Sequence, residues 1–204
     1  MYTTTMKKVI GIDFDDVISS YMEGFLAYYN AKYGASHKRD DMYTFDLSEI
    51  LNCSQEESYA MHDDYYESHY HDSTPEIHEA KKYISLLSEE YELVIITARP
   101  PYQKEKVLML AKEILPHIKE FVFLGAPKDT TNWHKKSKGE SCIDHNVSFF
   151  IDDSYANAKS VVEKEIPVLL FDAPWNKKEA LLPLMTRVGT WEEVYREVRE
   201  KITP

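Results

Sequence analysis

The chain has 204 residues, 43% of them hydrophobic, enough to bury one substantial core or a core with a smaller appended unit. With 24 Lys and Arg against 35 Asp and Glu, the formal net charge of −11 argues against polymeric nucleic acid or an anionic membrane as partner, while a small phosphorylated metabolite such as a nucleotide remains compatible. Only Cys53 and Cys142 are present, the N-terminus carries no secretory apolar region and no run approaches the ~20 apolar residues of a membrane span, so a cytoplasmic protein without disulfides is expected. The sequence leaves the oligomeric state open.

Taken in chain order, the first element is the short apolar strand KVIGID at 8–13, followed by Asp15 and Asp16. An interval rich in Tyr, His, Asp and Glu then runs to about Lys82, with helical spacing at 20–34 and 54–70, and Pro75 separates it from an amphipathic segment at 76–91. In that segment Ile77, Tyr83, Ile84, Leu86 and Leu87 are available to face a sheet. Apolar strands follow at 92–98, 120–125, 147–153 and 166–172, alternating with helical patterns at 102–115 and 155–165. Strands of near-continuous apolar character between helices predict an α/β fold with a doubly wound parallel sheet. The break in the alternation predicts a small helical insertion, so that 1–18 and 83–204 form the core and 19–82 the insertion. The C-terminal TWEEVYREVREKI reads as a closing helix with Thr190 as its N-cap.

Ligands of open parallel sheets bind beyond the carboxyl ends of the strands. There the first strand delivers Asp13 and Asp15, which share a face if the chain stays extended, with Phe14 turned away. The second ends in Thr97, Ala98 and Arg99, and the fourth in Asp152 and Asp153, preceded by a basic loop holding Lys135, Lys136 and Lys138. These ingredients fit phosphoryl transfer. Asp13, Asp15 and Asp153 offer the hard oxygen ligands that Mg²⁺ takes, one aspartate can attack phosphorus, and a second can move the proton. The Thr97 hydroxyl, the backbone N–H groups after it and a lysine would gather the phosphoryl oxygens.

The set resembles the haloacid dehalogenase-like (HAD) phosphohydrolases. Their DxDx(T/V) motif stands as Asp13-Phe14-Asp15-Asp16-Val17, their Thr motif as VIITARP and their acidic pair as FFIDDS. KGESCIDHNVSFFIDDS and LLFDAPWN are similar to the bacterial nucleotidases related to the 5'(3')-deoxyribonucleotidases. The resemblance implies a HAD-like Rossmannoid core with a C1-type cap, and selects Lys138 among the lysines. It implies Asp13 as nucleophile and Asp15 as general acid/base with its backbone carbonyl on Mg²⁺. Asp153 becomes the direct metal ligand with Asp152 as catalytic neighbour, the two being exchangeable at this stage. Asn157 stands where many relatives carry another acid. The implied function is a Mg²⁺-dependent phosphomonoesterase working through an aspartyl-phosphate, on (deoxy)ribonucleoside monophosphates. The alternatives are a HAD phosphatase for a non-nucleotide metabolite, or a non-catalytic phosphate-binding or regulatory protein of this fold.

Phe14, Asp16, Tyr21 and Phe45 are expected at the substrate with Thr97, Ala98 and Lys138, because they adjoin the first motif or open the insertion. Arg99 is assigned to the surface or to an ion pair. His62, His69, His71 and His78 are read as scattered surface and not as a zinc site, and most tyrosines of the insertion as packing. A receiver domain carries its phospho-acceptor on a middle strand before the Thr, and a DxD glycosyltransferase leaves Thr97, Lys138 and the acidic pair unused.

Overall fold

Val9, Ile10 and Ile12 are buried on both sides of the chain, and an isolated four-residue strand has no way to achieve that. It is the centre of a sheet. The computed structural model describes residues 7–127 and 136–202. In chain order the elements are β1 (Val9–Ile12), α1 (Tyr21–Tyr33), α2 (Leu47–Leu51), α3 (Gln55–Tyr66), α4 (His69–Asp72), α5 (Ala80–Glu90), β2 (Glu92–Thr97), α6 (Lys104–Leu110), β3 (Glu120–Phe123), α7 (Lys138–Asp144), β4 (Val147–Asp152), α8 (Tyr155–Val162), β5 (Val168–Phe171), β6 (Met185–Val188) and α9 (Trp191–Lys201). The strands form one sheet in the order β3-β2-β1-β4-β5-β6, with every pairing parallel.

Alternate strand residues feed two cores. Ile10, Ile12, Leu93, Ile95, Phe149, Ile151 and Leu169 meet Ile84 and Leu87 of α5, Val107 of α6, and Val194 and Val198 of α9. Val94, Ile96, Phe150, Val168 and Leu170 meet Cys142 of α7 and Ala158 and Val161 of α8. Each such side chain contributes roughly 1.5–3 kcal/mol relative to exposure, which is why these short strands hold. Tyr83, Ile84 and Leu87 of α5 are buried as its spacing predicts, while Leu86 and Ile77 pack from the margin. The Thr190 hydroxyl accepts the Glu193 N–H and opens α9.

Several elements differ from the sequence expectation. β6 is a short edge strand, MTRV, whose half-buried Thr186 and Arg187 dilute the apolar signal. α2 is a single capped stretch of five residues. The third difference matters for the site: the basic loop becomes helix from Lys138 onward. Ser137 accepts the Glu140 N–H, and the Glu140 carboxylate accepts the Ser137 N–H, a reciprocal cap that starts α7. Gly139 lets α7 approach α8, since a Cβ there would lie 2.0 Å from the Ser160 carbonyl oxygen. Lys135 lies outside the described residues, and Lys136 pairs with Asp144.

The interval between β1 and α5 forms its own helical cluster, α1 to α4, around Tyr21, Met22, Phe25, Leu26, Tyr28, Met42, Leu47 and Tyr65, closed below by Ala173 and Trp175 after β5. α1 stops at Gly34, whose φ of 66° an L side chain disfavours. α3 ends at Tyr66, before Ser68 turns the chain into α4, so the expected helix at 54–70 is two helices. Entry and exit of the cluster run side by side: the Ser20 N–H donates to the Pro75 carbonyl and the Ile77 N–H to the Ile18 carbonyl, both at 2.8 Å. α5 begins at Ala80 and packs on the sheet, a few residues before the boundary expected near 83.

Candidate active site

Chain order reverses between β1 and β4. From β1 the strands run outward to β2 and β3, and from β4 in the other direction to β5 and β6. Such a reversal opens a crevice at the carboxyl ends of its two central strands. Ile12 pairs with Ile151, and the Asp13 N–H donates to the Ile151 carbonyl at 2.9 Å, so Asp13 and Asp152 emerge as neighbours.

Lys138, at the first turn of α7, reaches both. Its Nζ lies 2.7 Å from Asp13 Oδ1 and 2.8 Å from Asp152 Oδ2 in a setting only 3% exposed. Burial disfavours the ammonium, but Asp13 and Asp152 outweigh it and hold the Lys138 pKa above its ordinary value. Burial pushes Asp13 up to about 7 against the pull of Lys138, and Asp153 is raised by burial and by its acidic neighbours. Carboxylate oxygens of Asp13, Asp152 and Asp153 lie within 4.8 Å of one another. When all three are ionised, the one ammonium among them leaves two uncompensated negative charges. Three hard oxygen donors with that charge fit a divalent cation.

The acidic pair divides its work. Asp152 is fully buried, its oxygens accepting from Lys138 and from the Ser154 N–H. Asp153 reaches the cavity wall, and its Oδ2 accepts from Trp175 Nε1 at 2.8 Å. Asn176 holds the Asp153 carbonyl and that of Phe171, so the turn after β5 fixes the end of β4.

Asp15 behaves differently from the sequence expectation. β1 ends at Ile12, the Ile18 and Ser19 N–H groups fold back to the Phe14 carbonyl, and Asp16 takes a φ of 54°. The chain is no longer extended, so Asp13 and Asp15 do not share one set of partners. Asp13 meets Lys138. The Asp15 carboxylate is gripped by the Arg99 guanidinium, with Nε at 2.9 and 3.1 Å from its two oxygens and Nη2 at 2.6 Å from Oδ1. The acidic trio therefore contains Asp152 where the side chain of Asp15 was a candidate.

Arg99 is 2% exposed and joins core to insertion. Its Nη1 lies 2.7 Å from Nε2 of His71, and its guanidinium stands over the rings of Phe14, Tyr21 and Tyr66 at 5.4 to 5.5 Å. A guanidinium only donates, so His71 Nε2 accepts and the imidazole is neutral. Burial, assisted by Arg99, lowers His71 to about 4. His62 is lowered to about 4 by burial, and its Nδ1 lies 2.5 Å from the Tyr21 hydroxyl. His71 is fully buried and His62 is half-buried on the cavity wall, contrary to the surface expectation. Among the described residues no histidine belongs to a candidate metal group.

A cavity of about 640 Å³ opens between the trio and the insertion. Asp13, Asp15, Asp16, Tyr21, Phe45, Ala98, Arg99, Asp153 and Asn157 line it, with His62, Tyr66, Tyr102 and Gln103 farther along the wall. The Asp16 carboxylate accepts the Met22 N–H at 3.1 Å, which steadies the start of α1, and burial pushes it up to about 8 against the pull of Arg39. Phe14 and Thr97 are fully buried and absent from the wall: Phe14 belongs to the core under Arg99, and the Thr97 hydroxyl accepts the Arg99 N–H and pins the turn. Both were candidates for substrate contact, and burial removes the Phe14 side chain from that role.

Known proteins share this architecture. The family profile described as "5' nucleotidase, deoxy (Pyrimidine), cytosolic type C protein" matches residues 7–202. The Bacillus subtilis protein named "Putative nucleotidase YqfW" is 29% identical over 90% of this chain and 90% of its own. A 5'(3')-deoxyribonucleotidase of Bacillus subtilis is 26% identical, over 95% of this chain and 99% of its own. In three dimensions, the haloacid dehalogenase-like hydrolase SP0104 from Streptococcus pneumoniae superposes with a TM-score of 0.65 at 16% identity, covering 94% of this chain and 98% of that one. A HAD-like sheet carrying an acidic crevice thus coincides with a profile spanning nearly the whole chain, and the protein belongs to the cytosolic type C 5'-nucleotidase family of HAD phosphoric monoester hydrolases.

Proposed function

We propose that the protein hydrolyses nucleoside 5'-monophosphates, ribo or deoxy, with Mg²⁺ and through an aspartyl-phosphate on Asp13. The observation that carries the mechanism is the position of Asp13, at the cavity wall, ion-paired to Lys138 and grouped with Asp152 and Asp153. Asp13 and Asp153 would hold the metal, with Asp152 behind them fixed by Lys138 and Ser154. Mg²⁺ bound there would neutralise charge between the carboxylates and an anionic phosphate.

Lys138 orients Asp13 through Oδ1, which also accepts the Phe14 N–H at 2.7 Å. That leaves Oδ2 as the attacking oxygen. Attack forms the Asp13–phosphorus bond and breaks the phosphorus–oxygen bond to the nucleoside, whose alkoxide needs a proton. Asp15 is the acid/base in this reading. Gripped by Arg99, its carboxylate is placed to take a proton from the water that then attacks phosphorus, breaking the Asp13–phosphorus bond, releasing phosphate and restoring Asp13. To give a proton to the alkoxide it must first loosen that grip, since a guanidinium offers hydrogens to both of its oxygens. The aromatic wall of the cavity and the type C nucleotidase family membership support a nucleotide as the ester.

The test is a screen of the purified protein with Mg²⁺ against nucleotides, sugar phosphates and other phosphate esters, alongside Asp13→Asn. Nucleoside monophosphates should be the best substrates, and the variant should retain its circular dichroism spectrum with no turnover. Undiminished activity of Asp13→Asn refutes the mechanism. Failure of all nucleotides while another class is turned over refutes the substrate.

A further inference from the structure

Gln103 is 4% exposed, yet among the described residues neither atom of its carboxamide has a hydrogen-bond partner. The hydroxyls of Tyr66 and Tyr102 lie near enough for Gln103 to favour their ionised forms, though neither stands in hydrogen-bond geometry to its carboxamide. The residue closes the turn Pro101–Gln103, and its backbone N–H is committed to the Pro100 carbonyl at 3.0 Å, so the backbone is fixed while the side chain is not. That side chain is part of the cavity wall.

Buried amides are nearly always paired, because leaving one unpaired forfeits its hydration without return. An exception on a cavity wall points to a partner that arrives with a ligand. The surroundings restrict which ligand. Tyr21, Tyr59, Tyr66 and Phe45 line the same cavity and present flat apolar faces. A carboxamide places N–H donors beside a carbonyl acceptor in one plane, a pattern that pairs bidentately with the edge of a nucleobase. Ring faces that stack and an amide that reads an edge together suit a planar heterocycle carrying both donor and acceptor.

Building on the nucleotidase reading, we propose that Gln103 forms the base-recognition subsite of this cavity and that its carboxamide pairs with the donor and acceptor edge of the nucleobase. Asp13, oriented by Lys138, engages the phosphate, and Gln103 distinguishes a nucleotide from a sugar phosphate without a base.

The experiment compares kcat/KM for the four common nucleoside 5'-monophosphates and for ribose 5-phosphate in the wild type, Gln103→Leu and Gln103→Met. Met nearly matches Gln in length and volume, so it separates loss of the amide from loss of packing. The ratio of the best nucleotide to ribose 5-phosphate should fall by about 10-fold to 100-fold in both variants, mainly through KM, as a lost bidentate pair predicts. Their thermal midpoints should equal or exceed that of the wild type, because an unpaired buried amide has been removed. A ratio that survives in both variants, or equal losses on all substrates, overturns the subsite and leaves the nucleotidase reading standing. A wild type that does not favour any nucleotide over ribose 5-phosphate overturns both.

Discussion

His71 offers a quantitative test of how the insertion is tied to the core. Its Nε2 accepts from Arg99, the ring is fully buried, and its Nδ1 lies 3.5 Å from the Asp72 carboxylate. Arg99 and Lys106 disfavour the imidazolium, and Asp72 and Asp15 favour it, but burial leads and the pKa is lowered to about 4 from an ordinary 6.5. A histidine depressed in the folded state takes up its proton first in the unfolded chain. Stability therefore rises with pH between about 4 and 6.5, is complete above that window and is lost as the pH falls through it. Taking those values, the loss at pH 5 is about 2 kcal/mol, approaching about 3 kcal/mol below pH 4. The matching variant is His71→Gln, whose amide oxygen can replace Nε2 as acceptor for Arg99 and which has no proton to gain. Urea unfolding of both proteins at pH 7.5 and pH 5 checks the difference. The wild type should lose about 2 kcal/mol more than the variant between the two conditions. The raised carboxyls Asp13 and Asp16 titrate in the opposite sense and are common to both proteins, so they cancel in the comparison. Equal losses in the two proteins would refute the neutral, Arg99-facing histidine.

Two further outcomes follow from the site's supports. Trp175→Phe removes the Nε1 donor to Asp153 and should weaken Mg²⁺ activation by about tenfold, read as the metal concentration at half-maximal turnover; an unchanged titration removes Trp175 from metal positioning. Gly139→Ala places a Cβ 2.0 Å from the Ser160 carbonyl oxygen and should cost about 1–3 kcal/mol in denaturant unfolding, with reduced activity as Lys138 shifts; a stability within 0.5 kcal/mol of wild type (roughly the scatter of a neutral surface change) would show that α7 and α8 separate freely.

The parts of this architecture that were legible in the sequence are those that obey a period or an order. β1, β2, β4 and β5 are apolar on both faces, and α5 and α9 carry one apolar stripe each, so burial writes them directly into the residue pattern. Asp152 was found at the end of an apolar strand, and Lys138 was selected among neighbouring lysines by the family resemblance; a parallel sheet with a reversal converts their order after Asp13 into proximity. β6 was not legible because an edge strand exposes part of its face, and α7 because its first turn sets a lysine beside a glycine directly after a basic loop.

Arg99 shows why the remainder of the site resists such reading. Nothing local distinguishes it from a solvated arginine; its meaning comes from Asp15, delivered by the turn after β1, and from His71, delivered by α4. Both partners lie on segments whose placement depends on how the insertion folds. The charge of Arg99 is balanced by Asp15, so its 2% exposure is tolerable only while that pair persists. The neutral His71 then adds an acceptor without adding charge. Asp15, core loop and insertion are thereby held by one buried guanidinium. A change in the Asp15 grip during turnover must accordingly be felt by α4, through the bond between Arg99 and His71.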